Sequence, residues 1–427
     1  MSTAGSPPSL CIMKTENDSS PAAEGARQAL DDLRVLDFTQ LLQGPYATQM
    51  LGDLGADIIK VEKAGSGDLY RSMTFFNEWL PGGESPCFIP WNRNKRSLAI
   101  DLKAPRARGI IGKLAEEADV VVENFRPGVM EKLGLGYEDL RAANPRIIYC
   151  SASGWGRDGP YAKRPGQDLL VQGLSGVATA SGRKSDRPIP VGTALSDQLG
   201  AMHIVYAVLA ALHYRHRSGE GQRIEVNLLQ SVLAFEMQDF FTVQNLGRKF
   251  ERPDSGIAHP GNGAPFGVYA TADGYLSIAM SPWSKIVEAV GDPELARYDD
   301  PQILYDRRDE VFHELERRIQ RRTTDEWLEI MLGLDIWCAP VREQDEVADD
   351  PQVRHLGAFT EIEHPRAGSV KVTDVPFRMS ATPGAIRRPA PLTGQHSREI
   401  LRELGYSGTA LEELFADGVV TETDASS

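Results

Sequence analysis

The stretch LRVLDFTQLLQGPYATQMLGDLGADIIKVE, residues 33–62, decides the fold. LRVLDF and ADIIKVE are short apolar runs with the character of strands. Between them, YATQMLGDLG has apolar residues at helical spacing and ends on a glycine. The order strand, helix, strand is the βαβ unit of a parallel sheet. We therefore expect an α/β fold.

The same alternation continues to about residue 155. RSLAIDL, DVVVENF and RIIYCSAS predict strands, while PRARGIIGKLAEEA and GYEDLRAANP predict helices. The pattern indicates a doubly wound sheet. A long helix is expected over Ser196–Ser218, and its apolar middle predicts that it is buried. GEGQRIEVNL then predicts a turn and one more strand.

The sequence divides into four segments. Residues 1–29 are rich in Ser, Pro, Ala and Gly and predict a disordered tail. Residues 30–225 are expected to form the large domain, and residues 226–335 a smaller α+β domain with a hairpin turn at Asp273-Gly274. Residues 336–427 are expected to return and complete the large domain.

Composition excludes several classes of partner and compartment. A net charge of −14 over 427 residues argues against nucleic acid or an anionic membrane as the main partner. The N-terminus lacks the features of a signal peptide. We expect no transmembrane helix, because no apolar run reaches the length of about 18 residues that one requires. Four widely spaced cysteines without a C-x-x-C motif favour a reducing cytoplasm. We expect a cytoplasmic protein.

Several familiar motifs are absent from the sequence. The first strand is not followed by G-x-G-x-x-G, and there is no G-x-x-x-x-G-K-[ST], H-E-x-x-H or G-x-S-x-G. The eight histidines are scattered. No metal site and no tightly bound cofactor are expected.

Basic and amide residues recur near the ends of the predicted strands. They are Lys63, the run NRNKRS (Asn92 to Ser97), Lys103 and the run ENFRPG (Glu123 to Gly128). In open α/β sheets, ligands bind beyond the carboxyl ends of the strands, so these residues could hold a phosphorylated ligand. A solvated charged rim is the alternative for each residue taken singly.

Asp197 lies in VGTALSDQLGAMH, residues 191–203, just before the long apolar helix. Such a position is typical of a helix N-cap. It also favours a carboxylate anion, because the helix dipole and free N–H groups stabilise negative charge. A positioned carboxylate anion is a possible nucleophile, so the two interpretations do not exclude each other.

Several longer stretches carry a resemblance to a known family. They include residues 35–68, NRNKRSLAIDLK, VVVENFRPGVMEKLGLGYEDL, the stretch from Pro145 to Gly176, and ALSDQLGAMH with the helix after it. Together they resemble the class III (CaiB/BaiF-type) CoA-transferases over about residues 30–405, most strongly over 34–235. Acyl-CoA racemases are close relatives of that family.

The resemblance implies a fold and a reaction. The fold is a Rossmann-like large domain made from both chain ends, a small domain between them, and a homodimer of interlocked subunits. Asp197 matches the aspartate that attacks an acyl-CoA to form a mixed anhydride and then an aspartyl-CoA thioester. CoA would pass from an acyl-CoA donor to a carboxylic acid acceptor.

The resemblance also assigns CoA-binding positions. Lys63 and Lys132 match basic positions, Gln167 and Asp168 flank the site, and Gly261 and Gly263 match a glycine-rich loop of the formyl-CoA transferases that closes over the aspartate. This chain has fewer glycines there, which weakens a claim on formyl or oxalyl substrates. The remaining matches are Leu42, Gln43, Ile100, Asp101, Leu102, Lys103, Asn124, Phe125 and Arg126.

Two alternatives stay open. A 2-methylacyl-CoA racemase of this family uses a histidine with the aspartate, and that histidine falls at Gln167 here. Glutamine has no titratable proton near neutral pH, so it cannot move the α-proton. A non-catalytic CoA-binding protein is the second alternative, because a fold does not determine a function.

Overall fold

A computed structural model describes residues 27–423 of the protein. The disordered tail predicted over 1–29 therefore lies almost wholly outside the described residues, as does Cys11. A seven-stranded sheet of order β12-β3-β2-β1-β4-β5-β6 forms the centre of the fold. Its strands are β1 (Arg34–Asp37), β2 (Asp57–Lys63), β3 (Lys95–Ile100), β4 (Val120–Glu123), β5 (Ile148–Ser153), β6 (Arg223–Asn227) and β12 (Val420–Thr421).

The expected parallel sheet is confirmed. Strands β1 to β6 pair in parallel, with Leu36 opposite both Ile59 and Val121. Strand β12 pairs antiparallel with β3, so the C-terminal part of the chain does return to the sheet edge. That pairing joins residues more than 300 positions apart in the chain and has no counterpart in any local pattern.

Fifteen α-helices accompany the strands in the described range. The first eight are α1 (Gln43–Asp53), α2 (Pro105–Glu117), α3 (Val129–Lys132), α4 (Tyr137–Ala143), α5 (Asp168–Ser175), α6 (Leu195–Ser218), α7 (Leu228–Phe235) and α8 (Met237–Leu246). The others are α9 (Trp283–Val290), α10 (Pro301–Asp306), α11 (Arg308–Ile319), α12 (Thr324–Gly333), α13 (Pro351–Leu356), α14 (Ser397–Glu403) and α15 (Gly408–Ala416).

Alternating strand residues divide the large core into two layers. Leu36 and its equivalents face α2, α14 and α15, whereas Val35 and its equivalents face α1 and α6. This division follows from the period of two along a strand, which sends successive side chains to opposite faces. Because apolar side chains occupy both faces, the strands are buried on both sides, as a parallel sheet requires.

A second, smaller core lies in the segment after α8. Strands β7 (Gly267–Ala270), β8 (Tyr275–Ile278) and β9 (Cys338–Pro340) form an antiparallel sheet packed on α9, α11 and α12. The hairpin predicted at Asp273-Gly274 is confirmed. A separate hairpin joins β10 (Phe359–His364) to β11 (Gly368–Thr373).

Two elements lie across the predicted domain limits of 226 and 335. Helix α7 packs with α5 and α6 beside the large sheet, through Leu228 and Val232. Strand β9 follows residue 335 yet pairs with β8 of the small sheet. The limits themselves remain a prediction.

Helix α6 contradicts one expectation. It is long and apolar enough to cross a membrane by length and composition alone. Its residues Ala201, Ile204 and Val208 are nevertheless buried against the sheet and α1. Met202, Tyr206 and Leu209 on other sides of the helix are exposed, so the prediction that its apolar middle is buried holds for one face only.

Candidate active site

Asp197 lies in the first turn of α6, as the third residue of the helix. The N-cap is Ala194, and no side chain caps this end. The interpretation of Asp197 as an N-cap is therefore wrong. Its half-buried carboxylate makes no hydrogen bond to any residue of the described range, so it remains available to a ligand.

Burial, and after it the nearby charge of Asp168, raises the pKa of Asp197 to about 7. We expected the helix end to favour the anion, but loss of hydration and a like charge outweigh that effect here. No Lys or Arg within residues 27–423 contributes a compensating shift to this group. Asp197 therefore gains and loses its proton near neutral pH.

Asp168 holds the start of α6 in place. Its carboxylate accepts hydrogen bonds from the Ser196 N–H (2.8 Å) and hydroxyl (2.5 Å), and from Gln172 Nε2 (2.8 Å). These bonds join the first turns of α5 and α6. The structure therefore gives Asp168 a positioning role beside Asp197. Gln167 is exposed as the N-cap of α5.

The β1–α1 loop is held by side chains from neighbouring segments. Asn124 at the end of β4 donates to the Gln40 carbonyl and accepts from the Gln40 N–H, both at 2.8 Å. Leu41 adopts a left-handed conformation, with φ of 67°, and its N–H donates to Asp68 at 3.1 Å. Asn124 is thus a clamp on this loop, which leaves little of its amide free for CoA.

Two buried lysines, on β2 and β3, donate hydrogen bonds to backbone carbonyls at the two ends of the same loop. Lys95 Nζ lies 3.0 Å from Asp37 and donates to the Pro45 carbonyl and to Asn92 Oδ1. Lys60 Nζ lies 2.9 Å from Asp68 and donates to the Thr39 carbonyl. All four charged side chains are fully buried. The two pairs hold the loop at both of its ends.

Leu42 and Gln43 are buried where α1 meets α6. Gln43 Nε2 has no hydrogen-bond partner in the described structure. A Cβ on Gly200 would lie 2.5 Å from that nitrogen, so only glycine permits this approach. Gly200 follows Asp197 by about one helical turn, which places the Gln43 amide on the Asp197 side of the helix.

Three cations lie at the carboxyl ends of the strands, as predicted, and Lys132, assigned by the resemblance, ends the short helix α3 after β4. Lys63 ends β2, Lys103 follows β3 and Arg126 follows β4. All four are exposed, and none forms an ion pair with another residue between 27 and 423. Unpaired cations at this edge are suited to phosphate groups.

The run Asn92 to Ser97 corrects another expectation. These residues are buried and lie toward the amino end of β3, opposite the ligand edge. Arg93 pairs with Asp53, and Arg96 with Asp57 and Glu403. Their charges are used inside the protein and cannot hold a ligand.

The remaining predicted CoA-binding residues differ in how much of their side chains a ligand could reach. The side chain of Ile100 is fully buried in the large core, so only its backbone could contact a ligand. Leu102 and Phe125 are partly buried against the same core, and Asp101 accepts a hydrogen bond from the Lys103 N–H. These residues shape the edge rather than bind charge.

Gly261 and Gly263 lie in the segment before β7. The Gly261 N–H donates to Nδ1 of His259, whose Nε2 lies 3.0 Å from Asp239 on α8. A Cβ on Gly263 would meet the Leu304 backbone at 2.5 Å. Within the described structure these glycines are fixed by local packing.

Sequence reasoning missed Tyr70. It lies in the segment between β2 and β3, in GDLYR (residues 67–71), shortly after the predicted CoA position Lys63. Burial, and after it the charge of Asp197, raises the pKa of the Tyr70 phenol to about 12. Its position after a parallel strand was the one available signal.

A polar cavity of about 330 Å³ lies beyond β4, β5 and β6. Glu123, Arg126, Ser151, Arg157 and Asn227 are among its lining residues. Burial raises the pKa of Glu123 to about 7. No group of His, Cys, Asp and Glu between residues 27 and 423 is arranged to hold a metal ion.

Comparison with known proteins decides the family. The sequence profile of CoA-transferase family III matches residues 30–397. The chain belongs to CoA-transferase family III. Human succinyl-CoA:glutarate CoA-transferase is 35% identical over 403 residues, covering 92% of this chain and 90% of the human protein. Formyl-CoA:oxalate CoA-transferase of Rhodopseudomonas palustris strain TIE-1 is 31% identical over 420 residues, covering 92% and 97%.

A solved structure agrees with this membership. The CAIB/BAIF family protein from Brucella suis superposes with a TM-score of 0.78 at 31% identity, covering 88% of this chain and 99% of that one. The predicted family is therefore confirmed. The protein is an enzyme, a CoA-transferase of family III, and CoA thioesters are substrates of such enzymes.

The pKa of Asp197 predicts the pH dependence of a family III reaction that needs its anion. We expect kcat/KM to rise with pH through about 7, as the free enzyme loses the Asp197 proton. Asp168→Asn removes the like charge, so the pKa of Asp197 should fall and the acid limb should move to lower pH. Initial rates at saturating acceptor from pH 5 to 9 measure this. Asp158→Asn, an exposed carboxylate near the cavity, is the control and should leave the limb in place.

Proposed function

We propose that Asp197 is the nucleophile of a CoA transfer from an acyl-CoA to a carboxylic acid. One observation carries the proposal. Asp197 is a half-buried carboxylate with no hydrogen bond and no cationic partner in the described structure, and its pKa is raised to about 7. A carboxylate used only for structure would be paired, because an unpaired buried charge is costly.

The reaction proceeds through four substitutions at carbonyl carbons. Asp197 attacks the thioester, its carbon–sulfur bond breaks, and CoA leaves as thiolate. The thiolate then attacks the aspartyl carbonyl of the mixed anhydride, which releases the donor acid and leaves an aspartyl-CoA thioester. An acceptor carboxylate displaces the thiolate, and the thiolate attacks the acceptor carbonyl to regenerate Asp197. No net proton is consumed, and an anhydride or a thioester is present at every stage, so no step requires hydrolysis.

Electrostatics support the binding of CoA at the carboxyl edge of the sheet. Lys63, Lys103, Arg126 and Lys132 offer unpaired positive charge where CoA carries phosphates. The β1–α1 loop and the start of α5 then lie on the way from this edge to Asp197. CoA acts as a substrate here, and no tightly bound cofactor is proposed.

A small dicarboxylate is the proposed acceptor class, with succinyl-CoA as the donor. The 35% identity to a succinyl-CoA:glutarate enzyme supports this choice. The two glycines at 261 and 263 fit formyl or oxalyl substrates less well. We also propose that the enzyme is cytoplasmic.

A screen of donors against acceptors tests the function. Succinyl-CoA, formyl-CoA and acetyl-CoA are incubated with glutarate, oxalate and other acids, and new thioesters are read by mass spectrometry. New acyl-CoA with succinyl-CoA and a dicarboxylate supports the proposal. Binding of CoA without turnover on any acid would contradict it. Deuterium uptake at the α-carbon of a 2-methylacyl-CoA would contradict the proposal and favour a racemase. Gln167, where the racemases have a histidine, argues against that activity because glutamine cannot move the α-proton.

A homodimer of interlocked subunits is part of the proposal. Helices α6 and α8 expose large apolar side chains, among them Met202, Tyr206, Met237 and Phe241. Exposed apolar side chains in such number are typical of protein interfaces. Light scattering should give twice the chain mass of 46.9 kDa. An active particle of that single mass would contradict the dimer.

Loss of the edge cations should weaken acyl-CoA binding selectively. Lys103→Ala and Lys132→Ala each remove one exposed charge, so KM for acyl-CoA should rise about three- to tenfold while kcat stays nearly constant. The effect should shrink at high salt, because exposed charges are screened. Lys371→Ala, on the β11 hairpin, is the matched control. Equal KM values for all variants would refute the assignment.

A further inference from the structure

The surroundings of Asp197 raise a chemical requirement. Each attack on a carbonyl carbon places negative charge on its oxygen, and that oxyanion needs hydrogen-bond donors. No cation from the described range acts on the pKa of Asp197, and the charge that does act on it is that of the acidic Asp168. The donors must therefore be neutral groups. This step rests on the proposed function.

Hydrogen bonds and packing link the Tyr70 segment to helix α6 in successive contacts. Asp68 Oδ1 accepts from the N–H groups of both Leu41 and Tyr70, at 3.1 and 2.9 Å. The Tyr70 segment is thereby joined to the β1–α1 loop. That loop leads directly into Gln43, whose amide packs against Gly200 of α6. Gly200 follows Asp197 by about one turn.

The Tyr70 backbone is fixed at further points. Its carbonyl accepts from the Ser85 hydroxyl at 2.7 Å and from the Met73 N–H at 3.2 Å. The half-buried ring packs against Phe88 and Ile89. A donor held this firmly needs little reorganisation when charge develops beside it.

The Tyr70 hydroxyl itself forms no hydrogen bond with any residue from 27 to 423. The charges of Asp197, Asp68 and Asp168 all act on it. They and burial hold its proton in place, so at neutral pH the phenol is a donor. Tyr70 thus provides a neutral donor whose hydroxyl is free in the described structure and on which the charge of the proposed nucleophile acts.

We propose that the Tyr70 hydroxyl is a catalytic hydrogen-bond donor that binds the carbonyl oxygen of the acyl group while Asp197 attacks. The phenol keeps its proton throughout. The hydrogen bond strengthens as the carbonyl oxygen becomes an oxyanion and weakens when the carbon–sulfur bond breaks. Tyr70 therefore acts mainly on the transition state.

Tyr70→Phe tests this role, because it keeps the ring and removes only the hydroxyl. Enzyme and acyl-CoA are mixed without acceptor, and the first cleavage of the acyl-CoA thioester is followed by rapid quench. The burst rate should fall about 10²-fold, as for loss of one oxyanion donor. KM for acyl-CoA and the denaturant midpoint should stay unchanged. Tyr275→Phe, exposed on the small sheet, is the control.

Conservative rescue separates catalysis from structure. A fluorotyrosine at position 70 keeps the donor and should restore most of the burst rate. If the burst rate of Tyr70→Phe is within about threefold of wild type, the role of Tyr70 is overturned while the proposed function stands. The same holds if the burst rate falls only because acyl-CoA binds more weakly or the variant unfolds. If wild-type enzyme gives no burst with any acyl-CoA, the proposed function and the role of Tyr70 both fail.

Discussion

Asp197→Asn should reduce CoA transfer by about 10⁴-fold or more, the scale seen when a nucleophile is removed. Asparagine has nearly the same size, yet its amide cannot form the anhydride. Because the carboxylate makes no hydrogen bond in the described structure, the substitution breaks no contact. The effect should therefore appear in kcat, with binding of acyl-CoA retained.

Stability should not fall in this variant. The folded-state pKa of about 7 lies above the ordinary 3.8 of an aspartate. Folding therefore takes up a proton between these values, and stability decreases as the pH rises from about 4 to 7. Asparagine removes that decrease. Asp197→Asn should be at least as stable as wild type at pH 7, as measured by denaturant unfolding.

Hydroxylamine gives a direct chemical readout. Added with acyl-CoA, it should convert the activated Asp197 into a hydroxamate, which peptide mapping locates. It should do nothing without acyl-CoA or in Asp197→Asn. Asp158→Asn should transfer CoA and be trapped like wild type. Transfer by Asp197→Asn at a near wild-type rate, or a hydroxamate at another residue, would rule out Asp197 as nucleophile.

Local patterns predicted most of the large sheet. The short apolar runs VLDF and IIKV and the helical spacing between them are visible in sequence because each pattern lies within a single element. The return of β12 to β3 is different. Val420 pairs with Ile100, and neither short run contains a sequence feature that predicts pairing with the other.

Charge could not be assigned to a role from sequence. Arg96 and Lys103 look alike as basic residues near one strand. Arg96 is buried because Asp57 and Glu403, distant in sequence, supply its partners, whereas Lys103 has none in the described structure. Whether a cation binds a ligand depends on such pairs, which only the tertiary structure shows.

The start of α6 shows the same limit at one residue. The sequence SD before an apolar run is typical of an N-cap at either residue. Asp168, from a different helix, binds Ser196 and so fixes the first turn with Asp197 inside it. The resemblance located the aspartate, but its environment and its raised pKa depended on that distant contact.

Lys95→Met should produce the largest loss of stability, about 3–5 kcal/mol in the free energy of unfolding. Lys95 is fully buried, and its ammonium group contacts Asp37, the Pro45 carbonyl and Asn92. Methionine fills a similar volume but leaves Asp37 a buried anion with one cation fewer. It also frees one end of the β1–α1 loop.

Urea unfolding at fixed protein concentration measures this loss, and the slope of the transition should not change. Lys63→Met is the matched control, because Lys63 is exposed and unpaired in the described structure. Adding Asp37→Asn to Lys95→Met should recover part of the lost stability, since the uncompensated charge is then gone. If the single and double variants lose equal stability, the ion pair is not what holds the loop. Because the loop carries Leu42, a predicted CoA-binding residue, any Lys95→Met protein that remains folded should also show a raised KM for acyl-CoA, whereas Asp197→Asn should not.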